Sequence, residues 1–395
     1  MKRIRSYTVL VWLLFVGGLL AQGAFAADPP FPEVSPAEQG VRAETLREMS
    51  AWVRKENYDV RAMLLLRRGH LIFEWYSDGI TRDHNHNTFS VTKSVVGTLV
   101  GCAIKESKIP SPATTLNELF PNSPVLATYP AKAKMKIADL LTMRGGLPVT
   151  RGNKPKNDPQ RILFDQVHEA EERNRFVLHL PLERVPGESF AYNNNEPQLI
   201  AGILEQLYNE DLLPLGQRFL FHPLNFENVA WRFPDKTGNY PGGYGLRLRA
   251  LDMAKLGQLY LQQGKWNGEQ ILSEKWCKEA TSDQTGTGYG YYWWTEKGSQ
   301  GELPFAAKGV RGQRIYVDPQ KELVFVLTSD LPQDQVPTIT KKLIEGFVLK
   351  AVASDSPISE KPGEMDQLKA ELTLSKQYRS PRRQGLPGNR LPQAP

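Results

Sequence analysis

Between Ser90 and Ile104 the chain carries one charged residue, Lys93. Val91, Val95, Val96, Leu99, Val100, Cys102, Ala103 and Ile104 spread around the helix this stretch should form, not along one stripe. A helix that is apolar nearly all round is a buried one, so the fold must wrap other elements around this segment. Gly97 and Gly101 lie four and eight residues after Lys93, on its face of the helix. Small residues there let another element approach the backbone.

Burial gives the Ser90–Lys93 spacing its meaning. Positions i and i+3 share a helix face, so the Ser90 hydroxyl and the Lys93 amine can meet. A lone lysine in apolar surroundings is costly unless paired and tends to lose its proton. A neutral amine beside a hydroxyl is a general base beside a nucleophile. At the helix N-terminus, the dipole favours developing negative charge. A Ser and a Lys three apart also arise by chance about once in a chain of this length, so the buried context carries the weight.

The ends are not expected to be part of the fold. Lys2, Arg3 and Arg5 precede an apolar Tyr7–Leu20 run, and Ala24-Phe25-Ala26 offers small residues for cleavage. Residues 1–26 therefore read as a secretory signal, and the protein is expected to be exported, periplasmic or secreted, with no stable membrane span after its removal. The net charge of +6 sits at the ends: the signal, and Lys376, Arg379, Arg382, Arg383 and Arg390. The body is near neutral and does not call for nucleic acid. Residues 354–395 are expected to be disordered, the end being rich in Pro, Arg and Gln. Cys102 and Cys277 are expected to be two free thiols, Cys102 lying in the buried helix.

Taken in order, 43–57 reads as a helix, and Val60–Leu66 and Leu71–Tyr76 as a hairpin. Thr81–Thr88 is a polar loop, with Asn87 or Thr88 as candidate N-cap for the Ser90 helix. His84 and His86 alternate there, but no third ligand stands at a recognisable spacing; they read as solvated, and no metal or cofactor is expected. From Leu116 to about Leu224 the chain reads as helix and loop, with a mobile loop at 150–161 and helices at Arg161–Leu178 and Pro197–Tyr208. Leu251–Gln263 is a further helix. Gly290–Trp294, Phe305–Gly309, Gln313–Val317 and Leu323–Ser329 read as strands, and Val336–Val352 as a closing helix. Strands at both ends with helices between imply one sheet built from both termini and an inserted helical lobe. The expected layout is an α/β part over about 40–110 and 240–350 and a lobe over about 111–239.

A second cluster is Pro186-Gly187-Glu188-Ser189-Phe190-Ala191-Tyr192-Asn193-Asn194. A phenol and an amide two apart on an extended segment point the same way. Tyr192 could relay protons, and Asn194 could hold the lysine and a substrate carbonyl. With it, the chain resembles the serine β-lactamase and penicillin-binding superfamily, most of all class C β-lactamases, family VIII esterases and 6-aminohexanoate-dimer-hydrolase-like enzymes. The resemblance rests on Phe89–Ser94, Leu140–Leu147, Pro186-Gly187 before Tyr192–Asn194, Gly242–Leu246 before Asp252, and Tyr289–Trp293, in the family's order over about residues 35–350. It implies a largely antiparallel sheet flanked by helices, with an all-α lobe and the site between. It implies Ser90 as acylated nucleophile, Lys93 as its base, Tyr192 as partner base and proton shuttle, and Asn194 as positioning amide. The absence of a Ser-Asp-Asn motif and of an evident class A-type glutamate base sets it apart from class A enzymes.

The family's third motif, Lys-Thr/Ser-Gly, is altered. Lys236-Thr237-Gly238 lies in a loop before the Asp252 helix and reads as a decoy. The positional match is Ala307-Lys308-Gly309, which shifts the lysine by one and, by strand alternation, turns Lys308 away from where the family's lysine points. Arg311 is a candidate substitute for its carboxylate contact. The N–H of Val310 can still join that of Ser90 in an oxyanion hole. Gly309, Lys308, Arg311 and Trp293 complete the expected pocket. The chain is thus expected to be a serine hydrolase cleaving a small ester, amide or peptide, esterase- or amidase-like. A D,D-peptidase or class C-like β-lactamase is the alternative, and a catalytically dead peptidoglycan- or protein-binding module the alternative of another class.

Overall fold

The computed structural model describes residues 31–380; the expected signal at 1–26 and the last part of the tail lie outside them. Six antiparallel strands form the main sheet in the order β2-β1-β6-β5-β4-β3. These are β1 (Val60–Arg67), β2 (His70–Tyr76), β3 (Trp294–Thr295), β4 (Phe305–Lys308), β5 (Arg314–Asp318) and β6 (Leu323–Ser329). The first hairpin and the last three-stranded run join at β1–β6, where Leu64 pairs with Val326. This is the β-lactamase/transpeptidase-like layout of an antiparallel sheet flanked by helices.

Alternation sorts the sheet's side chains onto two cores. Ala62, Leu64, Leu66, Ala307, Ile315, Val317, Val324 and Val326 face one cluster, with α2 (Val91–Lys105), α3 (Asn195–Tyr208) and α4 (Ala250–Leu261). Met63, Leu65, Leu323, Phe325 and Leu327 face the other, with α1 (Ala43–Lys55), α5 (Val336–Leu343) and α6 (Glu364–Ser375). Short helices between Leu116 and Phe221 carry α3 and cover the first cluster. Every residue of α2 from Val91 to Ala103 is buried, and a Cβ on Gly101 would meet the Trp276 indole at 2.4 Å. The expected close approach at the small residues is therefore real.

Several local expectations are revised. Ser90 itself, not Asn87 or Thr88, is the residue that precedes the first turn of α2; Thr88 is instead held to the Leu246 carbonyl by its hydroxyl at 2.7 Å. The 161–178 helix is two, Pro159–Glu169 and Arg173–His179. Gly290–Trp293 is not strand: Tyr292 takes φ 62° and its carbonyl accepts from Ser94 Oγ at 2.7 Å. His86 is buried in a short strand against Leu246–Arg249, not solvated. Both thiols are free and buried.

The tail is the largest correction. Residues 364–375 form α6, docked on α1. Leu368 is buried, and the Glu371 carboxylate accepts from Ser50 Oγ at 2.8 Å and from Arg54 Nε at 2.7 Å. Part of its buried face is a carboxylate and a serine, Glu371 and Ser375, so apolar periodicity alone could not reveal it. No helix among the described residues is long and apolar enough to cross a membrane.

Candidate active site

The backbone enters α2 through a forced turn. Phe89 holds φ 47°, a left-handed conformation uncommon for a bulky residue. Its N–H donates to Asn87 Oδ1 at 3.1 Å, and its carbonyl accepts from Thr92 Oγ1 at 2.6 Å. Ser90 is thereby left at the mouth of a cavity of about 1100 Å³ while Lys93 stands one turn inside, 1 % exposed.

Lys93 Nζ lies 3.0 Å from Ser90 Oγ, 2.7 Å from Asn194 Oδ1 and 2.8 Å from the Gly243 carbonyl. The Asn194 amide is oriented by its Nδ2, which donates to the Thr150 carbonyl at 3.3 Å. Two of the three neighbours can therefore only accept. A neutral amine has two N–H groups and one lone pair; with both N–H groups donated to carbonyl oxygens, the lone pair is left facing the Ser90 hydroxyl. Burial, with the Arg151 cation adding to it, brings Lys93 down from the ordinary 10.5 to about 7. The neutral form is thus well populated near neutral pH.

Tyr192 lies over the same pair. Its hydroxyl stands near enough to Ser90 to be influenced by it, and its ring centroid is 5.0 Å from Lys93 Nζ. Burial raises the phenol to about 12, against smaller lowering effects from Ser90 and Arg151. It therefore stays protonated, as a group that passes a proton on must be. The Leu140–Leu147 segment positions it: Ala191 N–H donates to the Met143 carbonyl and Gly187 N–H to that of Arg144, both at 2.8 Å. The 150–161 loop is pinned where it starts, since Asn195 Nδ2 donates to the Pro148 carbonyl at 2.9 Å.

The edge strand closes the site from the other side. A Cβ on Gly309 would come 2.5 Å from the Thr88 carbonyl, so only glycine lets β4 end against the turn before Ser90. Val310 follows on the cavity wall, in a turn held by Ser329 Oγ donating to the Arg311 carbonyl at 2.7 Å. Ala307 faces the core and Lys308 the cavity, where its ammonium lies 5.0 Å from the Trp294 ring centroid. The shift by one is real, and it still leaves Lys308 on the wall.

Two expected pocket residues are elsewhere. Arg311 takes φ 64°, turns outward and pairs with Asp330. Trp293 is fully buried between Tyr260 and Phe305, at 4.7 and 5.3 Å between ring centroids; its neighbour Trp294 lines the cavity instead. Lys236 pairs with Glu171 on an exposed turn and takes no part. Sequence reasoning missed the Gly243 carbonyl, Arg151 and Arg314. No local pattern marks Arg151, and Gly243 stands within the Gly242–Leu246 segment, where nothing singles out its carbonyl. Arg314 could have been placed on the face of Lys308 only with the β4–β5 register in hand. Among the described residues no cluster of His, Cys, Asp or Glu could hold a metal.

A cavity-lining serine hydrogen-bonded to a buried lysine under a phenol, on an antiparallel sheet with helices on both faces, defines a serine hydrolase. The chain belongs to the beta-lactamase family, whose model matches residues 54–344. It is 26% identical over 343 residues to the 6-aminohexanoate-dimer hydrolase of Paenarthrobacter ureafaciens, covering 80% of this chain and 84% of that one. The structure is similar in fold to EstCE1, a hydrolase with promiscuous acyltransferase activity, with a TM-score of 0.62, 18% identity, and 78% and 100% of the two chains covered. It is likewise similar to a class C beta-lactamase mutant, with a TM-score of 0.59, 13% identity, and 77% and 96% covered.

Proposed function

We propose that the protein is an exported esterase- or amidase-like enzyme that works through an acyl-enzyme on Ser90. The carrying observation is the Lys93 lone pair left facing the Ser90 hydroxyl by two carbonyl acceptors. Lys93 takes the hydroxyl proton as Oγ bonds to the substrate carbonyl carbon. The N–H groups of Ser90 and Val310 receive the developing oxyanion. Tyr192 passes its proton to the leaving oxygen or nitrogen as that bond breaks and regains one from Lys93. Water then attacks the ester, losing its proton to the same relay, and Ser90 leaves with a proton restored.

The preference for ordinary esters or amides over β-lactams rests on Ala307, which stands where the family's third-motif lysine would. The 26%-identical relative, named as a hydrolase of the 6-aminohexanoate dimer, supports a small-molecule substrate. Export rests on the pattern of residues 1–26. A fluorophosphonate incubated with the mature protein should add one adduct, on Ser90, and Ser90→Ala should lose the adduct and turnover of 4-nitrophenyl esters. A folded protein with no adduct would instead favour a binding module.

A further inference from the structure

Glu196 is a buried acid that takes no part in the steps above. It is the second residue of α3, two places after Asn194, and is fully buried. Neither of its carboxyl oxygens reaches a donor in hydrogen-bond geometry. On one side lies the strap formed by residues 143–151: a Cβ on Gly145 would come 3.1 Å from the Glu196 carboxyl carbon. On the other lie Tyr289 and Tyr292, buried phenols whose protons Glu196 helps to hold. The Tyr292 hydroxyl has no hydrogen-bond partner either. The Tyr289 ring packs edge-on against Tyr192, with 6.1 Å between centroids. The Arg184 guanidinium faces the acid too, but it pairs with Glu183 and donates to the Leu147 carbonyl at 2.6 Å.

Resting on the hydrolase reading above, we infer that Glu196 is a positioning residue of the reaction: as the neutral acid it lets the strap close on the Tyr192–Asn194 segment, and as the carboxylate it forces the two apart. The strap is what orients the proton relay. Its Met143 carbonyl accepts from Ala191 N–H at 2.8 Å, its Pro148 carbonyl from Asn195 Nδ2 at 2.9 Å and its Thr150 carbonyl from Asn194 Nδ2 at 3.3 Å. A buried charge without a partner is costly. The relief is to draw water between the strap and α3, which loosens these three bonds and with them Tyr192 and Asn194. Burial lifts Glu196 from the ordinary 4.5 to about 8; the Gly145 and Leu147 N–H groups, Asn193 and Arg184 offset only part of it. Lys93 is neutral above about 7, and Glu196 is neutral below about 8. Acylation is thereby confined between a base that touches the nucleophile and an acid that touches no reacting atom.

The test is the pH profile of 4-nitrophenyl butyrate hydrolysis by the whole mature enzyme, corrected for spontaneous hydrolysis. Wild-type kcat/KM should be about twentyfold lower at pH 9.5 than at pH 7.5, through kcat and not KM. Glu196→Gln keeps the shape without the charge, and its ratio between the two pH values should return to near one. Because each ratio is read within one protein, a general loss of rate cancels. Arg184→Gln keeps the acid but removes the cation that favours its ionisation, so it should move the alkaline limb to higher pH. That shift decides the matter if Glu196→Gln does not fold. A wild type with no fall between pH 7.5 and 9.5 overturns the inference. So does a limb that survives Glu196→Gln, as one belonging to Lys308, which burial holds at about 8, would. A limb unmoved or lowered by Arg184→Gln overturns it as well. In each case turnover of the ester leaves the hydrolase reading standing, whereas no turnover, with no adduct on Ser90, overturns both.

Discussion

Replacing Lys93 by methionine tests the buried amine through stability, without any assumption about substrate. An unfolded chain carries lysine at the ordinary 10.5, whereas the folded protein holds Lys93 at about 7. Above 10.5 both states are neutral and the residue costs nothing electrostatically. As pH falls, the unfolded chain binds a proton the folded one does not, so wild type loses stability down to about 7 and no further below it. At roughly 1.4 kcal/mol per tenfold change, the full window is worth about 5 kcal/mol. Lys93→Met abolishes this dependence. It also leaves Asn194 Oδ1 and the Gly243 carbonyl without a donor, each costing about 1–3 kcal/mol, but that offset does not change with pH. The diagnostic quantity is therefore the slope of the difference between the two proteins. Urea unfolding at pH 7, 8, 9 and 10 should show the mutant's relative stability falling by about 1.4 kcal/mol per pH unit. Parallel stabilities across that range, within about 0.5 kcal/mol, would refute a neutral buried amine.

Three other outcomes are expected. The Arg151 cation helps depress Lys93, so Arg151→Gln should raise the Lys93 pKa and move the acid limb of kcat/KM to higher pH; an unmoved or lowered limb would contradict it. Gly309→Ala puts a methyl group 2.5 Å from the Thr88 carbonyl, and pushing β4 off the Ser90 turn should cut kcat/KM about a hundredfold; activity within threefold of wild type would show that the strand end has room. Glu371→Ala removes the acceptor of Ser50 and Arg54 and should cost about 2–3 kcal/mol in denaturant unfolding with esterase kcat/KM unchanged at low temperature, whereas unchanged stability would mean that α6 is held without this carboxylate.

How far the sequence could be read follows from the range of each interaction. Ser90 and Lys93 are three residues apart on one helix, so helical geometry alone brings them to one face, and the apolar surroundings of α2 announce its burial. The hairpin, the late strands and the inserted helices follow from periodicity in the same way. Tyr192 and Asn194 were recognisable from family resemblance, but their approach to Lys93 depends on the pairing of 187–191 with 143–144. The tail helix escaped notice because a carboxylate, Glu371, forms part of its docking face.

By itself the sequence determined the local pairings: a nucleophile one turn from its base, and a glycine at the end of a strand. Only tertiary structure decided which of them share a cavity. The Lys93 acceptors come from 101 and 150 residues away, Arg311 was turned outward by its own left-handed backbone, and Lys308 met Arg314 through a register that neither strand encodes alone. Helix spacing is a property of consecutive residues, whereas a lone pair's direction and a cavity's charge depend on groups that only the folded chain brings within about 3 Å.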